Sequence, residues 1–340
     1  MKWTRLAAFY AVILAFVLSG CGASLPSGCP PDCIGANMTS RKLDGVNLSH
    51  ANLIESTLTK ASMIRTNLDT ANLSGALVNE VNLESANLDN AILLGADLRN
   101  TILRNASLNQ TDLRGANLHG ASLTRVDLTT TIMNGVDLSK AEMIGSILNG
   151  VDLSGLRATE ANMSGAELST SNLAGSALTF SELSGANLKN ADLSGSLLNS
   201  TKLLGSDMSG ANLAGALMLG ADLTGADLSN SKLNGVVFVG ANLNGVNLKG
   251  ADLTGAILDL PLPPGATSDF DYQTLTGNDL LNAILQTPIA KVVFDPLIRE
   301  LTELNLKTLL KDAQLQGVIY DDSTLWPLGF AVPDTAIKSP

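Results

Sequence analysis

The chain has 340 residues, with 32 acidic against 21 basic side chains and a net charge of −11, so no nucleic acid is expected as a partner. Aromatic residues make up only 4% of it, which is low for a chain that must fill a globular core. Length alone predicts two domains, although a regular array can grow without a second core.

Residues 1–20 read as a targeting segment and not as part of a fold. Lys2 and Arg5 give a positive start, and Leu6 to Leu18 is an apolar run of secretory length. That run is short for a membrane span of ~20 residues. Leu18-Ser19-Gly20-Cys21 resembles a bacterial lipobox, which implies cleavage before Cys21 and acylation of the new N-terminus. A protein carrying two or more acyl chains is stably anchored to a membrane. Residues 21–35 are then an anchored linker carrying Cys29 and Cys33. Outside the cytoplasm a disulfide is the first reading of such a pair, with free thiols and a metal site as alternatives.

From 36 to 260 one five-residue phrase repeats, as in Ala186-Asn187-Leu188-Lys189-Asn190 and Ala191-Asp192-Leu193-Ser194-Gly195. Its central residue falls on every position ending in 3 or 8 from Met38 to Leu258, and Leu fills 35 of those 45 positions. Period five fits neither the 3.6 of a helix nor the 2 of a plain strand. A short extended piece with the first and third side chains inward, followed by a tight corner, fits.

The phrases are similar to the pentapeptide-repeat family, whose motif is written A(D/N)Lxx. The resemblance implies an all-β solenoid, a right-handed quadrilateral β-helix with four phrases per coil and about eleven coils here. At ~4.8 Å per coil it would be about 53 Å long. One phrase inverts the rule: Leu156-Arg157-Ala158 puts the large residue first and the small one at the centre, nearly keeping the volume.

On that geometry, residues twenty apart stack on one side. Three sides show mainly Asn, Asp, Ser, Thr, Glu and Lys. The fourth, centred on Leu178, Leu198, Met218, Phe238 and Leu258, turns apolar on its outward positions Leu197, Leu217, Val237 and Ile257. Leu219 and Val239 flank that column and Phe180 lies nearby. An exposed apolar patch of this extent marks a contact surface.

Residues 261–340 read as a helical C-terminal segment and capping tail. Gly277 to Gln286 is a short apolar-rich helix, and Asp295-Pro296 starts another with Leu297, Leu301 and Leu304 at helical spacing. The phrase returns at Ala313-Gln314-Leu315-Gln316-Gly317, which makes the helices an insertion near the solenoid's end. The tail from Tyr320 to Phe330 resembles the Tyr…Thr-x-Trp-Pro-x-Gly-Phe ending of many family members, with Leu328 in place of an acidic residue. The helical insertion folding back, a second copy forming a homodimer through the C-terminal half, or another protein could each cover the apolar column.

Catalytic chemistry is not expected. His50 and His119 fall on roughly opposite sides, so they cannot share a metal or substrate. No phosphate loop, zinc pattern or calcium loop appears, and carboxylate columns such as Asp112, Asp152 and Asp192 read as a solvated face. No cofactor or metal is expected. The function expected is a non-enzymatic, lipid-anchored envelope scaffold or protein-binding module with an unknown protein partner. The alternative is a DNA mimic that binds a topoisomerase, as the family resemblance implies for some members. A 53 Å mimic needs on the order of thirty negative charges, whereas residues 41–258 hold 20 acidic and 14 basic side chains.

Overall fold

The structure is a computed structural model that describes residues 25–258, 313–327 and 330–339. The targeting segment with Cys21, the two helices expected between Gly277 and Leu304, and Leu328 lie outside the described residues. Two compact units are present, Met1–Ile147 and Leu148–Pro340. The described residues of each form a β solenoid, and no helix occurs among them.

Each phrase joins its neighbours through a single bridging residue at its second position, paired in parallel with the residue twenty further on: Asn47↔Asn67 in the first unit, Asn187↔Asp207 in the second. Four phrases therefore make one coil. Every central side chain from Cys33 to Leu258 is buried, Phe238 and the seven Met included. First positions are also inward, and mostly Ala because the central residues leave room for little more. The first bridge, Asp32↔Asn52, places Cys33 at a central position, one phrase ahead of the expected start at 36.

The motif follows from accounting for five backbone N–H groups, since a buried donor without a partner is costly. In the phrase from Ala186 to Asn190, Asn187 N–H donates to Ala166 O on the coil before, at 2.9 Å. Leu188 and Asn190 N–H donate to Asp207 O and Ser209 O on the coil after, at 2.7 and 3.0 Å. The N–H of the next phrase's first residue, Ala191, closes the corner on Leu188 O at 3.0 Å. Only the fourth N–H is left over. It donates to the side-chain oxygen at the second position, as Lys189 does to Asn187 (3.2 Å) and Ser194 does to Asp192 (2.9 Å). Asp or Asn stands second because a short side chain with a terminal oxygen closes that two-residue ring.

The fifth residue takes a left-handed conformation, for example φ 55° at Asn190 and 64° at Gly195. That is why Gly and Asn are frequent there, although His50 and Phe180 also adopt it (φ 59° and 61°). Inward first-position hydroxyls that find a partner follow two patterns, whereas Ser56, Ser176 and Ser196 Oγ are buried without one. Thr donates to the central carbonyl of the coil before, as Thr201 Oγ1 does to Leu178 O at 2.8 Å. Ser reaches only the preceding phrase, as Ser206 Oγ does to Leu203 O at 2.8 Å.

The inverted phrase keeps the regular pairing to the coil after it, through Arg157↔Ala177. Leu156 and Ala158 are both buried, and Ala158 N–H donates to Ala177 O at 2.8 Å. Beyond residue 258 the array resumes at 313. Gln314, Ile319 and Leu325 pair with Asn242, Asn247 and Asp252, so Leu315, Tyr320 and Trp326 take central positions above Leu243, Leu248 and Leu253. Thr324 Oγ1 donates to Leu248 O at 2.9 Å, as a first-position Thr does elsewhere. The Thr-x-Trp of the tail is thus one more phrase, with Trp in place of Leu. Tyr320 packs edge-on against Trp326 (5.6 Å) and Phe330 stacks on it (5.4 Å). Strand β1 (Ile319–Tyr320) pairs in parallel with β2 (Ile337–Lys338), which covers one exposed edge.

Candidate functional site

The outward residues divide into polar ladders and one apolar column. In the ladders, an amide lies between acids: Asn172 Nδ2 donates to Asp152 Oδ1 at 3.0 Å and Asn212 Nδ2 to Asp192 Oδ1 at 3.1 Å. Asp152 and Asp192 are therefore separated by an amide and do not converge. Asp97 and Asp112 each hold an Arg two residues on, with Nη2–Oδ2 distances of 2.7 and 2.6 Å. The Arg99 and Arg114 side-chain hydrogen bonds hold those two carboxyls below the usual range. Among the described residues no group of three or more His, Cys, Asp or Glu side chains could hold a metal ion. His50 Nδ1 pairs with Thr70 Oγ1, and His119 stands on the opposite side of the same unit. A disulfide joins Cys29 and Cys33.

The apolar column has the composition expected, but it is not laid open to solvent. Leu217 and Leu219 are 4% and 7% exposed, and Val237 and Val239 are at 0%. Phe180, Leu197 and Ile257 are half-buried. Outward position does not itself bury an apolar side chain, since Leu77 and Ile92 in the first unit are 44% and 40% exposed. The column is stacked through the bridges Ala177↔Leu197, Leu197↔Leu217, Leu217↔Val237 and Val237↔Ile257. Losing the second-position oxygen leaves the fourth N–H without its usual acceptor. At Leu219 that N–H is taken by Asn199 Oδ1 from the coil before, at 3.1 Å, while Asn199 Nδ2 is buried without a partner. Asn199 is a site feature the sequence reading missed; an Asn at the fourth position beneath an apolar second position was its signal.

The exposed apolar second-position residues of the first unit, Leu77, Ile92 and Ile132, form no column in the bridges described. The ladder neighbours of Ile92 are Asn72 and Asp112, and those of Leu77 are Thr57 and Asp97.

A solenoid wound from five-residue phrases, with Asx-closed corners and a dry Leu core, defines the class. The pentapeptide-repeat family matches at residues 32–69, 66–105, 103–135, 137–175, 181–220 and 221–259, in 8 copies, and the chain belongs to that family. No curated protein matches the chain. Among solved structures, HetL, a pentapeptide repeat protein involved in heterocyst differentiation regulation from the cyanobacterium Nostoc, is 28% identical over 69% of this chain and 90% of its own, with a TM-score of 0.22. Rfr23 from the cyanobacterium Cyanothece is 27% identical over 44% of this chain and 63% of its own, with a TM-score of 0.19. QnrB1, a plasmid-mediated fluoroquinolone resistance protein, is 20% identical over 65% of this chain and 83% of its own, with a TM-score of 0.21. At these TM-scores the superpositions carry no argument.

Proposed function

We propose that the protein is a non-enzymatic scaffold or protein-binding module, held by an N-terminal lipid on the extracytoplasmic side of a membrane of the cell envelope. The observation that carries the binding role is the fixed outward ladder. Second-position side chains are tied into the corner of their own phrase, as Asp192 is by the Ser194 N–H, and to the next coil, as by Asn212. Side chains held in this way are preorganised and lose little freedom on contact. The apolar run Leu6–Leu18 followed by Cys21 supports the anchor, and the resemblance to the family supports a right-handed winding. Mimicry of DNA is the weaker reading, because Asp97 and Asp112 spend their charge on Arg99 and Arg114.

Labelled palmitate and cell fractionation test the anchor. Label in the wild type, and its loss together with release from membranes in Cys21→Ala, is the expected result. Unlabelled wild-type protein in the cytosol would overturn the envelope reading. For the binding role, purified anchored protein is used to capture envelope proteins from solubilised membranes, in parallel with a variant carrying Asp192→Lys and Asp207→Lys. A protein retained by the parent and lost with the variant supports the role.

A further inference from the structure

We infer that the apolar column of the second unit is a docking surface for the chain's own residues 259–312. Four outward side chains, Leu217, Leu219, Val237 and Val239, are buried in the isolated chain, so a second molecule is not needed to cover them. The described tail does not lie there. Its strand β2 pairs with Ile319 and Tyr320 above Leu248, on the side of the coil opposite Phe238.

Chain connectivity points to the occupant. The array leaves at Leu258, directly above Phe238 in the same column, and resumes at Ala313. Ala313 N–H donates to Leu258 O at 3.0 Å, which is the corner bond that the first residue of each phrase makes from Ala36 to Ala256. Leu258 and Ala313, the two described residues that flank 259–312, are therefore bonded as across an ordinary two-residue corner at the edge of the apolar side. The sequence of residues 259–312 supplies the complementary chemistry, with Leu281, Ile284, Leu285, Leu297, Leu301 and Leu304 among them. Asn199, on the same side, is at 0% exposure as well.

A photo-reactive benzoyl-phenylalanine placed at Leu197 or at Ile257, the half-buried margins of the column, tests this in the full chain. After irradiation, cross-linked peptides are mapped by mass spectrometry. Intrachain cross-links into residues 259–312, unchanged on hundredfold dilution, are expected. Cross-links between two chains that fade on dilution would assign the face to a second copy and overturn the inference. Cross-links into residues 1–24 would overturn it as well. A parallel Leu219→Cys variant should react with a soluble maleimide at least tenfold more slowly than Leu77→Cys; equal rates would mean an uncovered face.

Discussion

Ala313 N–H donates to Leu258 O at 3.0 Å across a sequence gap that holds 54 residues between them, where every regular corner holds two. Replacing 259–312 by Ser-Gly should therefore leave a folded solenoid, with its far-ultraviolet signal kept. The same change should uncover Leu217, Leu219, Val237 and Val239. Binding of a hydrophobic dye should rise several-fold and solubility should fall. A variant that binds no more dye than the parent would argue against cover by that segment.

The inverted phrase allows a double-mutant cycle. Ala158→Leu alone places two large side chains, Leu156 and Leu, in one buried phrase and should cost about 1–3 kcal/mol. Leu156→Ala alone should leave a cavity and cost about 2–5 kcal/mol. The double variant restores the regular phrase, so its loss should be well below the sum, measured by denaturant unfolding. Strict additivity would show that the two positions do not share volume.

Buried hydroxyls should split by partner. Ser176 and Ser196 Oγ are buried without one, whereas Ser206 Oγ donates to Leu203 O. Ser196→Ala removes a desolvated, unpaired group and should raise stability by about 1 kcal/mol. Ser206→Ala gives up a made bond and should lower it by about as much. Melting temperatures moving the same way in both would refute this assignment.

Corner glycines differ although their φ angles match. A Cβ at Gly210 would overlap Asn190 Oδ1 on the coil before, while one at Gly225 meets nothing within 4 Å. Both carry φ +69°, so both Ala variants bear the backbone penalty of about 1 kcal/mol. Gly210→Ala should be the more destabilising, and Asn190→Ala should rescue the excess. Equal losses at the two glycines would show that the side chain of Asn190 simply moves aside.

Acid should weaken the first unit in a defined window. The Arg99 and Arg114 hydrogen bonds hold the Asp97 and Asp112 carboxyls below their unfolded value of about 4. The unfolded chain then takes up these protons first, so the contribution is complete above that pH and is lost as pH falls through the folded values. Asp97→Asn should lower stability at pH 7 by no more than about 1 kcal/mol, since the Arg99 side chain of the pair is 52% exposed and solvent screens it. Parent and variant melting temperatures should converge towards pH 2. A difference that persists there would point to packing and not charge.

Much of this fold can be read from spacing alone, because one residue in five must be large and apolar and the next corner must admit positive φ. The start was legible too: Cys33 falls on the same numerical register as Leu43, but a cysteine beside prolines reads as a linker. The apolar column at Leu217 and Val237 was legible by composition and direction. Its burial was not, because the phrase rule tells which way a side chain points and nothing about what lies above it. Asn199 belongs to the same blind spot, since its role depends on Leu217, on the next coil, standing where an Asx would otherwise accept the Leu219 N–H.

The twenty-residue stacking also constrains how such a gene can change in length. Gain or loss of twenty codons returns each residue to its own column, so Leu217 would still find an apolar neighbour below it. Removal of a single phrase between Leu197 and Leu217 would instead swing everything beyond it by a quarter turn and set Leu217 over Asp192. Inheritance of this surface therefore proceeds by whole coils, and a five-codon deletion, though it keeps the reading frame and the motif, rewrites every column downstream.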